Sequence, residues 1–114
     1  MTAKVIGTNV YKSDFINVHN LYSLDMVTYI KLSRIIELNH YEYHNTANDK
    51  QELVTQIKLD DNMVYPVSLE DYMKISYRLL ETADFVSLKV WMINKGYLKD
   101  ITGEYTNDLE SSKY

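Results

Sequence analysis

The stretch SLDMVTYIKLSRIIEL, residues 23–38, constrains the chain more than any other. Leu24, Met26, Val27, Tyr29, Ile30, Leu32, Ile35, Ile36 and Leu38 leave only short polar breaks between them. Ser23 suits a helix N-cap, and Asp25 suits a first turn, where the backbone dipole favours negative charge. Read as a helix over Leu24–Leu38, the segment is apolar nearly all round. Such a helix is central to a core or buried against another chain, so a homodimer through Leu24–Leu38 is an expectation.

The remaining elements are shorter. AKVI and DFINVH read as strand-type runs around a turn-prone GTN. LVTQIKL and MVYPV flank Asp60-Asp61-Asn62 and predict a hairpin, with Pro66 at its outer end, where a missing N–H is tolerated. Ser68, followed three residues on by Asp71, opens a short helix. A second helix follows, capped by Thr82 and stopped by Gly96 in the left-handed conformation. Thr102-Gly103 predicts a last hairpin, and residues 106–114 read as a frayed tail.

At 114 residues the chain is expected to form one domain, 1–114. It has no cysteine, which excludes disulfides, thiolate catalysis and sulfur-bound zinc. The opening residues have no apolar h-region, and no apolar run reaches the roughly 20 residues of a membrane span, so a cytoplasmic protein without membrane contact is expected. Net charge is −4, which argues against broad affinity for phosphates. Lysine, asparagine, isoleucine and tyrosine are abundant, the bias of AT-rich codons, and suggest a phage, a low-GC bacterium or a large DNA virus.

LNHYEYHN, residues 38–45, is almost a palindrome around Glu42. His40, Glu42 and His44 share a face in either a strand or a helix and are the metal candidates, but no fourth ligand is evident. The stretch therefore reads as the end of the long helix entering a polar loop, with Tyr41 and Tyr43 as an aromatic contact surface. No phosphate loop, nucleophile elbow or convergent set of acid–base residues is present, so neither catalysis nor a cofactor is expected.

The order of elements resembles a winged helix-turn-helix domain of the phage and plasmid replication-organiser or regulator type. VSLEDYMKISY matches the positioning helix, FVSLKVWMINKGYL the recognition helix, and KDITGEYT the wing. The resemblance runs from about Phe15 to Tyr105 and implies an α+β, winged-helix-like domain with about three helices and two short β-hairpins. It also implies DNA docking by the second helix, through Ser87, Lys89, Asn94, Lys95 and Lys99. Two expectations follow. The first is a non-enzymatic module that binds DNA or a replication or transcription protein. The second is a small acidic inhibitor of a host nucleic-acid or defence complex, with Asp100, Glu104, Asp108 and Glu110 as a negative strip standing in for phosphates.

Overall fold

In the computed structural model the described residues are 14–99. They fall into two compact units, one ending at Leu79 and the other beginning at Leu80. The chain is a small α+β protein, with antiparallel strands in two sheets and two α-helices among the described residues.

The first unit begins with a two-stranded sheet of β1 (Phe15–His19) and β2 (Val27–Lys31). Ile16 lies opposite Ile30, and Val18 opposite Thr28. Ile16, Val18 and Ile30 are buried there, so one face of this hairpin enters the core. Phe15, Tyr29 and Val27 occupy the other face and are exposed. Between the strands, Asn20 and Asp25 adopt positive φ of 63° and 65°. Asn and Asp tolerate that conformation. The Asn20 side chain accepts the Asp25 backbone N–H at 2.9 Å, which closes the loop.

This hairpin overturns the expected helix over Leu24–Leu38. The segment is a loop, β2, a 3-10 turn at Leu32–Arg34 and the start of β3 (Ile35–Asn45). Val27, Thr28, Ile30, Ile35 and Ile36 are β-branched, and such side chains lose less freedom on a pleated sheet than against a helical turn. Burial alternates with period 2 instead of 3.6: Ile30 is 3% exposed and Tyr29, its neighbour, 68%. The expected homodimer through a Leu24–Leu38 helix loses its element.

β3 runs antiparallel to β4 (Lys50–Leu59), and β4 also pairs with β5 (Val64–Pro66). The long β3–β4 hairpin replaces the helix end and polar loop expected at residues 38–52. Its turn is held by side chains: Asn45 Oδ1 accepts the Ala47 N–H at 3.0 Å and Asn48 Oδ1 that of Lys50 at 3.1 Å. The β4–β5 turn falls at Asp60–Asn62 as expected. Asn62 has φ 66° and Asp61 Oδ1 accepts the Met63 N–H at 2.8 Å. Pro66 sits on the short outer strand opposite Gln56.

Helix α1 (Leu69–Leu79) packs against both β1 and β4. Ser68 Oγ accepts the Asp71 N–H at 3.0 Å, the cap that the sequence predicts. Tyr72, Met73 and Ile75 enter the core with Ile57, Leu59 and Val67. Asp71, 1% exposed, is secured on three sides. One carboxylate oxygen accepts the His19 backbone N–H at 2.9 Å; the other lies 3.4 Å from Lys74 Nζ and 3.5 Å from His19 Nδ1. Lys74 also donates to Asn17 at 3.0 Å. The helix is thereby clasped to β1.

The second unit holds α2 (Thr82–Asn94). Glu81, not Thr82, occupies the N-cap, without a side-chain hydrogen bond. At the other end Gly96 has φ 86°, and the Tyr97 N–H returns to the Met92 carbonyl at 2.9 Å. Glycine adopts that backbone at no steric cost, as its position in the sequence predicts. The Thr102-Gly103 hairpin, Asp100, Glu104 and the 106–114 tail lie outside the described residues, as does the AKVI strand.

Candidate interaction surface

Strand periodicity sorts residues 37–45 and 50–59 onto two faces. Leu38, His40, Thr55, Ile57 and Leu59 turn toward α1, and the Tyr72 hydroxyl meets His40 Nδ1 at 2.9 Å on that side. Burial pushes the Tyr72 phenol up to about 12. Glu37, Asn39, Tyr41, Tyr43 and Asn45 turn the other way, opposite Lys58, Gln56, Val54, Glu52 and Lys50. Val64 and Pro66 extend this outward face onto β5.

The outward face is built in rungs. Nearest the turn, the Tyr43 hydroxyl donates to Glu52 at 2.6 Å, and Asn45 and Asn48 donate to the same carboxylate at 3.0 and 3.2 Å. These bonds hold Glu52 below the usual carboxylate range, the Tyr43 bond most of all, and the same bond raises the Tyr43 phenol. A phenol fixed across the strand pair has lost its rotamer freedom in advance. The next rung pairs Tyr41 with Val54, an aromatic–β-branched contact of the kind that stabilises sheets. Tyr41 is 50% exposed and Tyr43 41%. The third rung sets Asn39 opposite Gln56, and neither carboxamide has a hydrogen-bond partner among the described residues. Glu37 and Lys58 close the face as an ion pair at 3.9 Å.

No known protein family, curated protein or solved structure matches the chain. The surface must be read from its own chemistry.

Tyr41 and Tyr43, expected as contact residues, are brought together on this face. Asn39, Gln56 and Val54 were not foreseen; the alternation of LVTQIKL with NHYEYHN carries the signal once the two are paired as strands. The three metal candidates do share the opposite face, but each histidine is engaged elsewhere. His40 meets Tyr72, and His44 Nε2 lies 2.9 Å from Asp49. Among the described residues no three His, Asp or Glu side chains converge as a metal would require.

The residues expected on a DNA-reading helix lie on α2 and just beyond its C-terminal end. Ser87 and Asn94 are exposed on α2, as are Val86 and Val90. Lys89 lies 5.8 Å over the Phe85 ring and Lys95 5.8 Å over Trp91. Lys99 is exposed beyond the helix. Among the described residues no helix is long and apolar enough to cross a membrane.

Proposed function

We propose that the chain is a non-enzymatic recognition module that binds a protein partner through the outward face of the β3–β4–β5 sheet. One observation carries this reading: Tyr41 and Tyr43 stand exposed side by side on a hydrogen-bonded sheet, and Tyr43 is fixed by Glu52. Rigid aromatic side chains give large contact area for little conformational entropy, and tyrosine is enriched where protein surfaces meet. The net charge of −4 favours a protein over a phosphate backbone as the contact.

Affinity capture from the source cells tests the reading. Tyr41→Ala is expected to lose the captured protein, and charge reversal of Lys89 and Lys95 to retain it. Loss on charge reversal with retention in Tyr41→Ala would move the contact to α2.

A further inference from the structure

The Asn20 N–H reaches the Met26 carbonyl at 2.7 Å, and the Leu32 N–H the Asp14 carbonyl at 2.7 Å. The backbone of residues 26, 28, 30 and 32 therefore points toward β1. By the alternation of an antiparallel ladder, the N–H and C=O groups of Val27, Tyr29 and Lys31 point the other way. None of these groups has a hydrogen-bond partner among the described residues. Other strand edges are blunted: β5 is three residues long and carries Pro66, and on β1 Asp71 takes the His19 N–H. An open edge such as that of β2 is a template for a further strand. A two-stranded sheet also falls short of the three or so strands that give a sheet independent stability.

The residues on this edge select a second copy of the chain as the occupant. Two antiparallel β2 strands with a two-fold axis at Tyr29 set Tyr29 opposite its own equivalent. Val27 then faces Lys31 of the second copy, and Lys31 faces Val27. In this register all three residues exchange both hydrogen bonds, whereas a shift by two residues leaves one of them facing a residue outside β2. Charge agrees with the register. Lys31 and Asp25 are both exposed, and neither has an ion-pair partner among the described residues. Asn20 holds Asp25 at the end of the ladder, two residues before Val27. Asp25 is thereby the diagonal neighbour of Lys31 from the second copy, about 7–8 Å away and within a lysine's reach. The two-fold axis repeats the pair at the other end. The two lysines stand four residues apart along the seam, about 14 Å, beyond the screening length at 0.1 M salt.

We propose that β2 is a dimerisation edge, where two copies join antiparallel into a continuous four-stranded sheet closed at each end by a Lys31–Asp25 ion pair. The seam is a strand edge and is separate from the Tyr41–Tyr43 face.

The test is sedimentation equilibrium of the full chain from micromolar to millimolar concentration, beside amide hydrogen exchange followed by NMR. A concentration-dependent dimer is expected, in which the Val27, Tyr29 and Lys31 N–H groups gain protection as concentration rises. The Thr28 and Ile30 N–H groups, bonded to β1, should be protected throughout. In a mixture of labelled and unlabelled chains, an NOE from Thr28 Hα to Ile30 Hα of the second copy should report the register, since these residues form a close pair without hydrogen bonds. Lys31→Glu should weaken the dimer at least about fivefold. Tyr29→Pro removes only an N–H that points away from β1, and should abolish the dimer. A monomer at millimolar concentration, a dimer that leaves the three amides unprotected, or a dimer that survives either variant unchanged would overturn the proposal. Protection of the three amides only in the captured complex would also overturn it, and would assign the edge to a strand of the partner protein.

Discussion

The Tyr43 hydroxyl and the Glu52 carboxylate, directly opposite each other on β3 and β4, share a 2.6 Å hydrogen bond. That length is typical of a hydroxyl donating to an ionised carboxylate. The folded-state pKa of Glu52 lies below its unfolded value, with the Tyr43 bond the largest cause. The pair therefore contributes stability above the ordinary carboxylate pKa and loses it as pH falls through the lowered one. Tyr43→Phe should move the Glu52 side-chain titration back toward the ordinary value, followed through its carboxyl carbon by NMR. An unchanged titration would show that the two asparagines suffice.

The Tyr72 phenol behaves in the opposite sense. Burial raises its pKa from 10.0 to about 12. Between those values the unfolded chain ionises and the folded one does not, so stability is whole below pH 10 and declines as pH rises toward 12. The loss is about 2 kcal/mol. Tyr65, also raised to about 12 through its bond to Asp61, ionises over the same range. Urea midpoints measured across this window should fall less steeply in Tyr72→Phe than in the wild type.

Asp71→Ala removes the clasp between α1 and β1. It leaves the His19 N–H and Lys74 without the carboxylate they share. Losing one partner of a buried charged hydrogen bond costs about 2–4 kcal/mol. Urea denaturation followed by circular dichroism measures the change. A loss below half a kcal/mol would mean that water replaces the carboxylate.

Much of the fold is legible in the sequence where a residue type has one use. Ser68 and Gly96 bound helices, Asp60–Asn62 makes a turn, and Pro66 marks an outer strand. The 24–38 segment misleads because apolar residues at most positions satisfy period 3.6 and period 2 together. The deciding signals are weaker: clustered β-branched side chains, and Asn20 and Asp25 placed for a left-handed loop. The candidate surface was half legible for the same reason. NHYEYHN fixes which residues share a face, but only its pairing with β4 adds Val54 and Gln56 to the tyrosines.

Adjacent substitutions on β2 separate strand from helix directly. Ile30→Ala should cost about 2–4 kcal/mol, the range for truncating a buried aliphatic side chain. Tyr29→Ala, on the solvent side, should stay within about 0.5 kcal/mol. Thermal or urea unfolding of the two variants gives the contrast. Equal losses would contradict the period-2 assignment.

Hydroxyl-radical footprinting of the chain, free and in the captured complex, tests the central claim most directly. Tyr41 and Tyr43 should become protected on binding, with Tyr29 and Tyr77, exposed away from that face, unchanged. Protection of Tyr29 or Tyr77 with Tyr41 and Tyr43 still reactive would contradict the account.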